Sequence, residues 1–246
     1  GGDGGGNGTI RGRDDAIEFM YILDSNVTVA GNTRIEGDDD GIDANDDIEG
    51  GSTLTIADNG SIIGHGLFAD RGKGITIDGA VTDSTIAVTG NTTILGETGD
   101  GMLFLSPVTD STVTVAGNGA ITGQDGHGVT FADLIDPSTV DISGNTLING
   151  MNGNGIDFSG GLVDTNVTIG QNDQVSGSQN AVFFNSLSGS TIAVSDTNGT
   201  GGTNGFLLTN NGQGGSANTL SFANSAFTGK TGPGLSVING NSAPAL

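Results

Sequence analysis

Short segments in which apolar residues alternate with threonine or another polar residue recur along the chain. An alternation with a period of two predicts a β-strand with one buried face and one solvated face. The apolar pairs of these segments are Val27/Val29, Leu54/Ile56, Ile86/Val88, Val113/Val115, Val140/Ile142, Val167/Ile169, Ile192/Val194 and Leu220/Phe222. The pattern therefore predicts an all-β protein in which one kind of strand is used repeatedly.

An asparagine after most of these segments begins a second recurring unit, with a β-branched or aromatic residue and then a glycine shortly afterwards. The copies begin at Asn7, Asn32, Asn59, Asn91, Asn118, Asn145, Asn172 and Asn224. Their spacings are 25, 27, 32, 27, 27, 27 and 52 residues, the last of which covers two coils. Such self-similarity indicates stacked units rather than one globule. Residues 1–246 are therefore predicted to form a single domain.

A third recurring segment begins with a glycine or alanine and carries a large inward residue. The predicted inward column is Phe19, Ala44, Ala69, Phe104, Phe131, Phe158, Phe184, Leu208 and Val237. In the third coil this places the strand at residues 66–69 and makes residues 71–79 an insertion, with an extra strand at Ile75 and Ile77. The prediction is a parallel β-solenoid of about nine coils of about 27 residues, with three sheets.

This pattern resembles the right-handed parallel β-helices of the pectate-lyase-like superfamily and of autotransporter passenger domains. The resemblance covers essentially the whole chain and implies a right-handed, single-stranded parallel β-helix. It also implies a ladder of stacked asparagines at Asn32, Asn59, Asn91, Asn118, Asn145 and Asn172. Because the superfamily contains lyases, hydrolases, tailspikes and adhesins, the resemblance implies a fold and leaves the activity open.

The charge of the chain is strongly negative and unevenly distributed. A formal net charge of −22 with six basic residues argues against binding to nucleic acid or to an anionic membrane surface. Of the 28 carboxylates, 13 lie in residues 1–50 and none follows Asp196, so one end of the solenoid is acidic. The chain has no cysteine and no apolar run approaching the roughly 18 residues of a membrane span. Without a starting methionine or signal peptide, it is expected to be part of a longer protein.

An acidic segment in the second coil has the spacing of a calcium-binding loop. Carboxylates at relative positions 1, 3, 5 and 12 with glycine at 6 match the order of ligands in an EF-hand loop. The candidate calcium ligands are Glu36, Asp38, Asp40, Asp43 and Asp47. The alternative interpretation is a solvated acidic turn whose glycine, Gly41, is required by the repeat.

A second group of motifs resembles the signatures of polygalacturonases. The motifs are Asn45-Asp46-Asp47, Gly64-His65-Gly66 and Arg71-Gly72-Lys73. The resemblance implies Asp46, Asp47 and His65 as catalytic residues of a glycan-active enzyme, which would need two carboxyl groups about 6.5 to 9.5 Å apart for inverting hydrolysis. The spacing departs from that family, because Arg71 and Lys73 fall in the same coil as His65. In addition, His65 and His127 are predicted to share one repeat column with Asp40, as variants of a turn.

The outward threonines of the alternating segments form a third candidate surface. Stacked in register, they would make ranks that resemble the ice-binding face of β-solenoid antifreeze proteins. Six other residues interrupt the ranks: Asn26, Ala87, Asp141, Asn166, Ala193 and Ser221. High β-propensity on a solvated face explains the same threonines without a ligand.

The regularity of the repeat favours a structural role, since an enzyme is expected to break its pattern where it works. The expected function is a non-enzymatic, extracellular or cell-surface rod of bacterial type, structural or adhesive, which binds calcium and assembles end to end. Its expected partners are further copies of the chain or a cell-surface glycan or protein, and no organic cofactor is expected. A glycan-active enzyme is the first alternative and an ice-binding solenoid is the second.

Overall fold

A computed structural model describes residues 7–67, 72–210 and 217–239. In these ranges the chain forms 30 β-strands, numbered here β1 to β30 in chain order, and no helix. The strands stack in four parallel sheets that make about eight turns. The predicted all-β parallel solenoid is thereby confirmed.

Sheet 1 contains the strands in which apolar residues alternate with threonine. Its strands are β4 (Asn26–Ala30), β8 (Thr53–Ala57), β12 (Thr85–Thr89), β16 (Thr112–Ala116), β19 (Thr139–Ser143), β22 (Asn166–Gly170), β25 (Thr191–Ser195) and β28 (Thr219–Ala223). Neighbouring strands pair residue for residue, as Ile86 does with Val113. The apolar pairs therefore lie inward in every coil and the threonines lie outward.

Sheet 2 follows the asparagine turn. Its strands are β1 (Asn7–Gly12), β5 (Asn32–Gly37), β9 (Ser61–Gly64), β13 (Thr93–Gly96), β17 (Ala120–Gly123), β20 (Leu147–Gly150), β23 (Gln174–Gly177), β26 (Asn198–Gly201) and β29 (Ala226–Gly229). In every strand of this sheet except β26 one inward residue, such as the fully buried Ile94, contributes to the core.

Sheet 3 carries the large inward residues. Its strands are β2 (Ile17–Phe19), β6 (Ile42–Ala44), β10 (Ile75–Ile77), β14 (Met102–Phe104), β18 (Val129–Phe131), β21 (Ile156–Val163), β24 (Asn180–Ser188), β27 (Asn204–Asn210) and β30 (Leu235–Asn239). Four successive phenylalanines stack face to face with ring centroids 4.5 to 4.9 Å apart, namely Phe104, Phe131, Phe158 and Phe184. The predicted aromatic column is confirmed over these coils.

The prediction for the third coil was wrong. The strand that continues sheet 3 is β10, in which Ile77 pairs with Ala44 on one side and Phe104 on the other. Ile75 and Ile77 are thus not an extra strand, and Ile77 takes the core position assigned to Ala69, which lies outside the described residues. The physical reason is at Gly66, whose φ of +63° is incompatible with a strand.

A fourth sheet, which the sequence analysis did not predict, bridges sheets 3 and 1. Its strands are β3 (Ile22–Leu23), β7 (Ile48–Glu49), β11 (Val81–Thr82) and β15 (Val108–Thr109). Single parallel bridges continue it through Ile135 to Leu162. One buried aliphatic residue per coil, such as Val81, adds a further column to the core.

The predicted asparagine ladder runs along the turn between sheets 1 and 2. In each step the backbone N–H and the Nδ2 of one asparagine donate to the Oδ1 of the asparagine in the next coil, at 2.9 to 3.1 Å. The chain of donors runs from Asn32 through Asn59, Asn91, Asn118 and Asn145 to Asn172. The residue before each asparagine has a positive φ, as at Gly117 with +64°. The ladder therefore fixes the conformation of the turn and keeps the strands of successive coils in register.

A second ladder, of hydroxyl side chains, lies before each strand of sheet 1. The backbone N–H of Ser84 donates to the Oγ of Ser111 at 3.0 Å, and Ser111 donates in the same way to Ser138 at 3.1 Å. The series continues through Thr165 to Ser190. Two of the corners of the solenoid are therefore closed by hydrogen bonds that run along its axis.

Candidate functional site

The corner between sheets 2 and 3 carries a third ladder with a different chemistry. Each member lies two residues before the first inward residue of sheet 3 in its coil, and the set is here called the corner column. They are Asp15, Asp40, Lys73, Asp100, His127, Asn154, Asn180 and Asn204. At most steps the backbone N–H or the side-chain amide of one member donates to the side chain of the member in the preceding coil, at 2.7 to 3.0 Å. Acidic residues thus occupy structural positions in the early coils that asparagine fills in the later ones.

Side chains of the corner column also contact the outward residues of sheet 3 in the next coil. The Oδ2 of Asp40 accepts a hydrogen bond from the Thr76 hydroxyl at 2.6 Å. The Oδ2 of Asp157 lies 3.6 Å from the Nδ1 of His127, which accepts the Asn154 N–H, and the Oδ1 of Asp157 accepts a hydrogen bond from the Nδ2 of Asn154 at 3.1 Å. At both positions a carboxylate is matched by a group that can donate a hydrogen or carry positive charge.

Asp15 and Asp43 have no such match. By register Asp15 stands beneath Asp43 as Asp40 stands beneath Thr76, and the two carboxylates repel each other. Asp43 is only 7% exposed and its Oδ1 accepts no hydrogen bond. Burial, reinforced by the charges of Asp78, Asp15 and Asp40, raises the pKa of Asp43 to about 7.

Asp15 also belongs to a group of three carboxylates. Ligating oxygens of Asp14, Asp15 and Asp39 all lie within 4.8 Å of one another, which makes them the one such group in the described part of the chain. Asp14 is exposed, whereas Asp15 and Asp39 are half-buried. Burial and the nearby charges of Asp40, Asp14 and Asp39 raise the pKa of Asp15 to about 6.

The five carboxylates predicted from the EF-hand spacing do not form such a group. Glu36 pairs with Arg34 at 2.8 Å and with His65, while Asp38 lies 4.0 Å from Arg11. Asp40 lies in the corner column and Asp43 on the outer side of sheet 3, and Asp47 accepts the Ala80 N–H at 2.8 Å. The strand between these residues separates them, because an EF-hand spacing brings ligands together only around a continuous loop.

His65 is held between two carboxylates from neighbouring coils. Its Nε2 lies 2.7 Å from Glu36 and its Nδ1 lies 2.8 Å from Glu97. Hydrogen bonding to Glu97 and Glu36 raises the pKa of His65, and hydrogen bonding from His65, with help from Arg34, lowers the pKa of Glu36. The protonated imidazole therefore links three successive coils.

The residues implied by the polygalacturonase resemblance lie at opposite ends of the strands of sheet 3. Asp46 and Asp47 follow strand β6, whereas His65 follows strand β9 and precedes β10. The Oδ1 of Asp46 accepts the N–H of Asp47, and both ring nitrogens of His65 contact glutamates. The prediction that His65 and His127 share a column was wrong, because His65 is aligned with Glu97 and Lys73 occupies the position in the corner column instead.

Comparison of the chain with protein-family models, with curated proteins and with solved structures gives no match. The fold and its ladders define the chain as a parallel β-solenoid, and the superfamily implied by the resemblance stays a prediction. None of the described segments is a helix with the length and apolar character that a membrane crossing requires.

Sequence reasoning missed the group formed by Asp14, Asp15 and Asp39. The signal was present, because Asp14-Asp15 recurs 25 residues later as Asp39-Asp40 in the same phase of the repeat. Spacing along one loop does not reveal this group, because its members are brought together by the stacking of two coils.

Proposed function

We propose that the chain is a non-enzymatic structural or adhesive rod of an extracellular or cell-surface assembly. The observation that carries the proposal is the use of polar side chains at three corners in ladders along the axis. The asparagine ladder passes without interruption through the coils that contain the candidate catalytic residues. A surface whose polar groups are already hydrogen-bonded to neighbouring coils is suited to bearing load and to presenting a regular face.

The separation of the candidate catalytic residues supports a structural role over a glycan-active one. Inverting hydrolysis needs an acid and a base on the same cleft, about 6.5 to 9.5 Å apart. Asp46 and Asp47 lie instead after the strand of sheet 3 in their coil, whereas His65 lies before the strand in the next coil. Asp47 also accepts a backbone N–H. Their hydrogen bonds are those of turn residues.

The test is to incubate the purified chain with polygalacturonate and neutral polysaccharides and to measure new reducing ends and unsaturated products. No release above that of a heat-denatured sample is expected, together with a rod-shaped particle in negative stain and in sedimentation velocity. Release that is lost in Asp46→Asn, with Asp125→Asn as a matched surface control, would refute the structural role.

The register of sheet 1 favours ice binding as a second candidate function. Four outward threonines stack without interruption in adjacent strands, namely Thr53, Thr85, Thr112 and Thr139. The second rank on this face is broken by Ala87 and Asp141. Measurable thermal hysteresis that Thr112→Lys abolishes and Thr200→Lys on sheet 2 retains would support ice binding; no hysteresis in the wild type would exclude it.

A further inference from the structure

The first two coils contain a carboxylate pair that needs a positive charge between its oxygens. In the next coil Asp40 meets a donor on sheet 3, the Thr76 hydroxyl. Asp15 meets Asp43 instead, and an ionised carboxylate only accepts hydrogen bonds. Asp43 is buried and its Oδ1 accepts no hydrogen bond, and the carboxylate beneath it has no hydrogen to donate. Such a pair is costly unless a proton or a cation lies between the two side chains.

Two more carboxylates lie close to Asp15. Asp39 lies above Asp14 in the stacked turns, since the Asp39 N–H donates to the Asp14 carbonyl at 3.1 Å. Their ligating oxygens and that of Asp15 lie within 4.8 Å of one another. Two oxygens bound to one calcium ion at 2.3 to 2.6 Å are at most about 5 Å apart, so this spacing fits a shared ion.

We infer that Asp14, Asp15 and Asp39 form a calcium site that ties the first coil to the second, with Asp43 as the buried carboxylate behind it. The site differs from the loop that the EF-hand spacing predicted, because its ligands come from two stacked turns. It is independent of the proposed function, since a calcium ion could brace a rod or an enzyme alike.

Calcium is the ion that this donor set favours. All the candidate ligands are carboxylate oxygens, which are hard donors, and no thiolate exists in the chain. Calcium accepts irregular geometry and six to eight oxygens, so that water and turn carbonyls complete its shell, whereas magnesium requires a near-ideal octahedron. The exposed Asp14 gives the ion a path from solvent.

The experiment is calorimetric titration of the chelator-stripped chain with calcium chloride alone, in about 0.15 M potassium chloride to screen non-specific attraction. One saturable site is expected, with magnesium chloride binding at least about tenfold more weakly. Asp14→Asn and Asp39→Asn should each weaken calcium binding by at least about tenfold, because each removes a charged ligand.

Asp125→Asn is the matched control. Asp125 lies two positions after Gly123, as Asp39 lies two positions after Gly37. It is exposed and does not belong to the carboxylate group. This variant should bind calcium as the wild type does. Unchanged affinity in both Asp14→Asn and Asp39→Asn, or equal losses in Asp125→Asn, would overturn the site. Since Asp14 is exposed, its replacement is expected to leave folding intact.

A shared proton in place of a cation is distinguished by Asp43→Asn. Its amide can donate to Asp15, so this variant should melt in chelator at least as high as the wild type, and calcium should raise its melting temperature less. If calcium leaves the melting temperature of the wild type unchanged near neutral pH, the proton alone suffices and the inference is wrong.

Discussion

A single ladder asparagine satisfies groups in three coils. Asn118 donates from Nδ2 to the Val88 carbonyl at 3.0 Å and to Asn145, while its Oδ1 accepts from Asn91. It is 1% exposed, so water cannot replace these partners. The asparagine ladder therefore supplies the hydrogen bonds that the buried polar groups of this turn need when the coils pack together.

Replacing this side chain should be costly. Asn118→Ala removes the acceptor of the Asn91 backbone N–H and the side-chain donor to the Val88 carbonyl in a buried corner. We expect a loss of about 3 kcal/mol in the free energy of unfolding. Urea denaturation measures it, with Asn152→Ala on an exposed turn as the control, expected within about 0.5 kcal/mol of wild type. A loss as small as that of the control would show that the ladder contributes little.

The imidazole of His65 should make stability depend on pH. Because its folded pKa is raised above 6.5, its stabilisation is complete below that value and is lost as pH rises through the folded pKa. Glu36, whose pKa is lowered below 4.5, contributes above that value and loses its contribution as pH falls through its folded pKa. The ion pair between His65 and Glu36 is therefore most stabilising between pH 4.5 and pH 6.5, the ordinary pKa values of the two groups.

We expect the difference in unfolding free energy between wild type and His65→Gln to be larger at about pH 5.5 than at about pH 8.5. Glu97→Gln should shrink that difference, because Glu97 is the largest cause of the raised pKa. A difference that is constant across pH would mean that His65 contributes only packing.

At the scale of the element, the core position of one strand is filled by a side chain from the next coil. Strand β26 has Gly199 where the strands before it carry valine or isoleucine, as at Val175. The ring of Phe227 from the next coil fills the space and packs edge-on against Phe206, with centroids 5.7 Å apart. The degenerate repeat seen in the sequence is thus a small-to-large exchange between two coils.

Restoring the repeat at this position should therefore destabilise the protein. Gly199→Val places its Cβ against ring carbons of Phe227, and overpacking of this kind costs about 1–3 kcal/mol. Chemical denaturation of the variant, with the outward Thr200→Val as a control, measures the effect. Adding Phe227→Ala should recover part of the loss; a stabilised single variant would contradict this account of the core.

The predictability of the elements followed the strength of their local patterns. Sheets 1 and 2 follow from alternation and from the asparagine turns, which are local. Strand β10 was missed because both Gly66 and Gly74 begin a plausible segment, and only the backbone conformation of Gly66 decides between them. Sheet 4 was missed because a single inward residue such as Ile48 has no periodicity, and the carboxylate group was missed because stacking depends on coils distant in sequence.

At the scale of the whole molecule, the coils from Asn91 to Asn172 are interchangeable units. Each step is 27 residues, and each keeps the same register in all the sheets that it crosses. A solenoid of this kind gains stability from each coil and from its contacts with neighbours. Its length can therefore change by whole coils without changing its cross-section.

Deletion of residues 118–144 should leave a folded solenoid that is one coil shorter. Asn91 would then donate to Asn145 and Phe104 would stack on Phe158, so β-sheet circular dichroism and cooperative melting should persist at lower stability. Deletion of residues 118–143 is the control, because a slip of one residue turns every inward side chain outward. If the in-phase deletion unfolds as completely as the control, the coils are not equivalent.

The asparagine ladder has a direction, since each asparagine donates to the Oδ1 of the asparagine in the later coil and its own Oδ1 accepts from the asparagine in the earlier one. A two-fold axis reverses that direction, so a symmetric pair of solenoids meeting at like ends would oppose donor to donor or acceptor to acceptor. Translation along the axis preserves it. Any contact that prolongs the ladder must therefore join unlike ends, and such heterologous contacts leave a fresh end exposed after each addition, which makes an open filament the natural product and a closed dimer the exception.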